Sequence, residues 1–171
     1  MAQVPVFNWR FRDAALETLN QREMMLNLKP DFTVLVIEDK DPPQEQYRRC
    51  LRNVGIKDTQ IAIFRTRAEA VGFSGSLACL IADIQVYSGS PADPAPAEKV
   101  HGVGALRAIV GSGRIKPEQA IVVSEFLEDQ EVRSVVRELG IPIGNRFKGP
   151  VADEDLQEAV QRVLRQSGCC L

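Results

Sequence analysis

Histidine is almost absent from this sequence: His101 is the only one among 171 residues, and the four cysteines show none of the paired spacings that hold zinc. A metal centre built on imidazole and thiolate is therefore excluded. A basic excess is lacking too. The net charge is −2, and lysine and arginine are scattered rather than striped, which leaves no positive field for nucleic acid. Neither a secretory leader nor a run of about 18 apolar residues is present, so the chain is expected in the cytosol, with no membrane or nucleic acid as partner. Cys50 and Cys79 sit in apolar runs and read as core residues. The ending Gly168-Cys169-Cys170-Leu171 has glycine where a prenylation box needs its cysteine, and reads as a frayed tail.

What is present is enough apolar content, 44% beside 26% charged, for one buried core. Short apolar runs alternate with amphipathic stretches. Val34 to Ile37 predicts a first strand, and Asp41 with Pro42-Pro43 starts a helix that turns Tyr47, Leu51 and Val54 inward before Gly55. Ile61 to Phe64 predicts a second strand, Arg67 to Val71 a short helix, and Leu77 to Ile81 a third strand. Val103 to Val110 follows as a helix, and Ala120 to Val123 as the fourth strand. Val132, Val135, Val136 and Leu139 form one helical face, Ile141 to Ile143 opens a fifth strand, and Leu156, Val160, Val163 and Leu164 stripe a closing helix. Continuous apolar strands mean a sheet covered on both faces, and the alternation means that it is parallel. The expected fold is a doubly wound, five-stranded α/β sandwich over residues 31–166, with an extension at 1–30 and a tail at 167–171. Asp13 to Leu28 predicts a helix in the extension, packed on its own domain or forming a homodimer or partner surface. Val86 to Val100, with Ser88-Gly89-Ser90-Pro91 and Pro94-Ala95-Pro96, predicts a long loop.

Reactive side chains stand at the ends of the strands. Glu38-Asp39 follow the first, Asp83 the third and Ser124 the fourth, and Lys148 comes shortly after the fifth. In an open parallel sheet such ends share one rim, where ligands bind. Adjacent carboxylates repel unless a cation neutralises them, and Mg²⁺ prefers one or two carboxylates with water and phosphate oxygens. Glu38 and Asp39 suit that ion. Asp83 is placed to ligate it as well, or to attack phosphorus as a nucleophile. Ser124 can donate a hydrogen bond to a phosphoryl oxygen, and Lys148 can supply a cation opposite the metal.

In that order these residues resemble the receiver domain of response regulators in two-component signalling. Val34 to Asp39 is similar to the family's first strand and acidic pair, Cys79 to Ile84 to the acceptor strand, Ile121 to Ser124 to the hydroxyl strand, and Phe147-Lys148 with Pro150 to the lysine region. The resemblance spans about residues 32 to 166. It implies a flavodoxin-like fold, with Mg²⁺ bound through Glu38, Asp39 and Asp83. It also implies that Asp83 takes a phosphoryl group from a histidine kinase or phosphotransfer protein, and that the domain signals through an unidentified protein partner rather than turning over a substrate. With only Gln166 to Leu171 after the closing helix, a stand-alone receiver is expected.

Departures point to a pseudo-receiver as the alternative. Glu125 stands where the family places a small residue, Gly149 separates Lys148 from Pro150, Asn145 replaces the switch aromatic, and Tyr87 replaces a proline. An aspartate-nucleophile phosphatase would need a second acid at Gln85, and a nucleotide loop at Gly102-Val103-Gly104 would need a third glycine and a preceding strand. Both are set aside.

Overall fold

The computed structural model describes residues 26–87, 89 and 99–170. Phe32–Ile37 (β1), Ile61–Phe64 (β2), Ser76–Ala82 (β3), Ala120–Val123 (β4) and Arg146–Phe147 (β5) form one parallel sheet in the order β2-β1-β3-β4-β5. The helices between and after them are Asp41–Asn53 (α1), Arg67–Gly72 (α2), Lys99–Leu106 (α3), Gln130–Glu138 (α4) and Asp153–Ser167 (α5). This is the doubly wound flavodoxin-like sandwich that the alternating pattern predicts.

The two-residue period of the strands divides the core between the two faces. Val34, Val36, Cys79, Ile81, Ile121 and Val123 pack with Tyr47 and Leu51 of α1 and with Leu156, Val160, Val163 and Leu164 of α5. On the other face Leu35, Ile37, Leu80, Ala82 and Val122 meet Val103 and Leu106 of α3 and Val132, Val135 and Val136 of α4. Ladder hydrogen bonds continue one residue beyond the strands. The Glu38 N–H donates to Phe64 O at 3.0 Å, Asp83 N–H to Ile37 O at 2.9 Å, and Ser124 N–H to Phe147 O at 3.0 Å. Three residues with reactive side chains are thereby fixed at one rim.

Four expectations are corrected. Ile141 to Ile143 does not open the fifth strand. Pro142 has no N–H for a ladder, Ile143–Asn145 coil as a 3₁₀ turn, and Ile143 is 81% exposed; pairing begins only at Arg146. The helix expected from Val103 starts at Lys99 and ends in a π turn, Arg107–Gly111. The tail is not frayed: Gly168 closes α5 at φ 69°, Cys169 is buried, and Cys170 bridges Leu28 in antiparallel sense. The extension helix does not reach Leu28. Leu26 N–H donates to Val54 O at 2.8 Å and Lys29 N–H to Cys169 O at 2.9 Å, so both leucines are buried in their own domain rather than offered to a second copy. The rest of the span expected to be helical, and residues 88 and 90–98 of the expected long loop, lie outside the described residues.

Gly102 holds α3 against the backbone that follows Asp83. Its N–H donates to Ile84 O at 3.1 Å, and a Cβ there would lie 2.0 Å from the same oxygen. Gly102→Ala should therefore destabilise the fold by about 1–3 kcal/mol. Gly72→Ala, whose Cβ meets nothing within 4 Å, should change stability by less than about 0.5 kcal/mol. Denaturant unfolding of the two variants checks this.

Candidate functional site

The rim of the sheet opens as a cleft of about 220 Å³ between the β1–α1 and β3–α3 connections on one side and the segments after β4 and β5 on the other. Glu38, Asp83 and Ser124 line it together, with Lys40, Tyr47, Glu125 and Gly149. Glu38, Asp39 and Asp83 each present a carboxylate oxygen within 4.8 Å of the other two. The carboxylates expected to converge do converge.

Each is held by its own segment. Glu38 Oε1 accepts from Lys40 N–H at 3.0 Å, and Gln44 Nε2 donates to Glu38 O at 2.5 Å, locking the acidic pair to the first turn of α1. Asp83 Oδ1 accepts from the N–H groups of Ile84 at 2.6 Å and Gln85 at 3.3 Å. The Ser124 hydroxyl hydrogen-bonds the Asp83 carboxylate and accepts from Phe126 N–H at 3.2 Å. Two backbone donors and a hydroxyl thus orient Asp83, the least buried of the three acids.

Burial shapes the electrostatics. Glu38 is 3% exposed, and loss of water pushes its carboxyl up to about 8, with the Asp83 and Asp39 charges adding to the effect against the Lys40 N–H. Asp83 is also raised by burial, opposed by the Gln85 and Ile84 N–H groups, the Ser124 hydroxyl and the Lys40 charge. Tyr47 is raised by burial and by the same acids, so its phenol stays protonated. Asp39 Oδ1 is buried without a hydrogen-bond partner. An orphaned oxygen amid three carboxylates fits a hard divalent cation such as Mg²⁺ and not a soft metal.

Lys148 is not brought to this cleft. Alternation about Phe147, which packs toward the α1–α5 core, puts Lys148 on the side of Arg146 and away from that core. There it is exposed and lines a separate depression with Leu127, Arg133 and Arg146. The peptide bond before Pro150 is cis, so the residue preceding the cis proline is Gly149. Asn145 is buried, and its amide donates to Glu118 O at 3.0 Å and Ala120 O at 3.1 Å. Sequence reasoning missed Lys40 and Gly149 as cleft residues. The signal for Lys40 was its place immediately after the acidic pair.

A carboxyl that protonates more readily in the folded than in the unfolded chain makes the folded state bind more protons between the two values. The stability of the ion-free protein should accordingly fall as pH rises from about 4.5 to about 8, because the Glu38 carboxyl is raised from 4.5 to about 8. Asp83, raised as well, adds in the same direction. Thermal unfolding over this range should show the decline, and Glu38→Gln should flatten it.

No protein-family model matches the sequence, and no curated protein matches it. Solved structures do. The receiver domain of a sensor histidine kinase from Pseudomonas aeruginosa, determined with a magnesium ion coordinated in its active-site cleft, is 17% identical, with a TM-score of 0.57 over 78% of this chain and 97% of that one. A CheY-like response regulator receiver domain protein from Methanospirillum hungatei is 16% identical, with a TM-score of 0.57 over 79% and 94%. The signal receiver domain of a signal transduction histidine kinase from Syntrophus aciditrophicus is 22% identical, with a TM-score of 0.54 over 78% and 90%. The fold of this chain is that of the response-regulator receiver domains.

Proposed function

We propose that the chain is a receiver in two-component signalling, accepting a phosphoryl group on Asp83 from a phosphohistidine of a histidine kinase or phosphotransfer protein. The observation that carries this reading is the convergence of Glu38, Asp39 and Asp83 within 4.8 Å at a cleft that Ser124 also lines. Glu38, Asp39 and Asp83 would hold Mg²⁺, which supplies charge compensation for the phosphoryl oxygens when bound. The residues themselves do the positioning. With Oδ1 engaged by the Ile84 and Gln85 N–H groups, the other Asp83 oxygen is the nucleophile. Its O–P bond forms as the N–P bond of phosphohistidine breaks, and the electron pair leaves on the imidazole nitrogen. The Ser124 hydroxyl, whose proton goes to the Asp83 carboxylate in the free domain, can turn that proton to a phosphoryl oxygen when one is bound. No substrate is turned over; the product is the phosphorylated domain, which signals by altered affinity for a protein partner.

Asn145 favours a switch that does not swing an aromatic residue. Its side chain is tied to the backbone at Glu118 and Ala120, and Arg162 donates to its Oδ1 at 3.1 Å. A pseudo-receiver is the second reading, favoured by Glu125 at the cleft, whose charge opposes a phosphorylated Asp83.

Mass spectrometry after incubation with a small phosphodonor and Mg²⁺ separates the two. Wild type should gain one phosphoryl group and Asp83→Asn none, and Asp39→Asn should weaken Mg²⁺ binding by at least about tenfold. A wild type that binds Mg²⁺ but stays unmodified would establish the pseudo-receiver.

A further inference from the structure

We propose that Lys40, not Lys148, supplies the ammonium that holds a phosphoryl oxygen in this cleft, an assignment that rests on the reading of Asp83 as the phosphoryl acceptor. Among the described residues lining the cleft, Lys40 is the only basic one. Glu38, Asp83 and Glu125 line the same cleft, so a phosphoryl group bound there meets carboxylates on both sides. Charge compensation by the protein must come from a side chain that reaches this space. Lys148 faces the depression with Leu127, Arg133 and Arg146 instead. Gly149, which takes the cleft side after β5, has no side chain; even a Cβ there would stand 3.8 Å from Glu125 Cγ.

The backbone of Lys40 is fixed and its side chain is exposed. Its N–H donates to Glu38 Oε1 at 3.0 Å, and its carbonyl accepts from Gln44 N–H at 3.2 Å as α1 begins. The extended backbone of Lys40, φ −100° and ψ 135°, precedes a first turn stiffened by Pro42 and Pro43. A long side chain on a rigid base at the cleft edge can close over a ligand without disturbing the core. The Lys40 charge also acts on Asp83, favouring its ionised, nucleophilic form. The cation therefore stands beside the acidic pair at the β1–α1 corner and not across the cleft after β5. One consequence separates this role from a structural one. Lys40 opposes a metal cation but attracts a phosphoryl oxygen, so removing its charge must move the two affinities in different directions.

Beryllofluoride, a phosphoryl mimic, provides the probe, followed by ¹⁹F NMR with Mg²⁺ present, while Mg²⁺ binding alone is titrated in parallel. Lys40→Met should weaken beryllofluoride binding by about tenfold or more and leave Mg²⁺ affinity equal to or above that of wild type. Lys40→Arg should restore most of the loss, and Lys148→Met should match wild type. Beryllofluoride binding by Lys40→Met at wild-type strength, or its loss in Lys148→Met, would overturn the assignment and leave the receiver reading intact. Loss of both Mg²⁺ and beryllofluoride in Lys40→Met, not restored by arginine, would overturn it by making the residue structural. A wild type that binds Mg²⁺ but not beryllofluoride would overturn the receiver reading itself, and the assignment with it.

Discussion

Three carboxylates held together at the ends of two neighbouring strands are the constraint on which the rest of the structure depends. Glu38 and Asp39 follow β1, Asp83 follows β3, and their oxygens lie within 4.8 Å of one another in a largely buried corner. Burial there disfavours the ionised forms of Glu38 and Asp83, whose charges repel. Burial pushes the Glu38 carboxyl up to about 8, and Asp39 leaves one oxygen without a partner. A cluster of this kind is neutralised by protons or by a cation.

The surrounding fold keeps the carboxylates close despite their repulsion. Parallel register sets Ile37 beside Ala82, and the ladder continues through the Asp83 N–H to the Ile37 carbonyl at 2.9 Å. The two apolar cores on the faces of the sheet hold that register, because a slip of one residue would exchange their side chains. Backbone donors from Ile84, Gln85 and Lys40 compensate part of the charge. Gly102 brings α3 onto the carbonyl of Ile84, so the segment that follows Asp83 is braced from outside as well.

Most of this was legible where chemistry and period agree. Ile61–Phe64 and Ala120–Val123 were fixed as strands because continuous apolar runs between turn signals have few other uses. The acids and Ser124 were legible because strand ends share one rim. The fifth strand was not, since Ile141 is apolar for its own burial beyond the sheet while the pairing residues are Arg146 and Phe147. Leu26, Leu28 and Cys169 join the core through backbone pairings between distant segments, which no local pattern encodes. Lys148 stands away from the cleft because Gly149 takes the place before the cis proline and at the cleft, an offset of one residue that residue type alone does not carry.

If Glu38, Asp39 and Asp83 hold Mg²⁺ as proposed, binding must displace the proton that burial favours on Glu38. Calorimetric titration with Mg²⁺ in buffers of different ionisation enthalpy counts the protons released on binding. At pH 7 about one proton should be released, chiefly from Glu38, whose carboxyl is raised to about 8, and the number should fall toward zero by about pH 9. Binding with no proton release at either pH, or no Mg²⁺ binding at all, would contradict it.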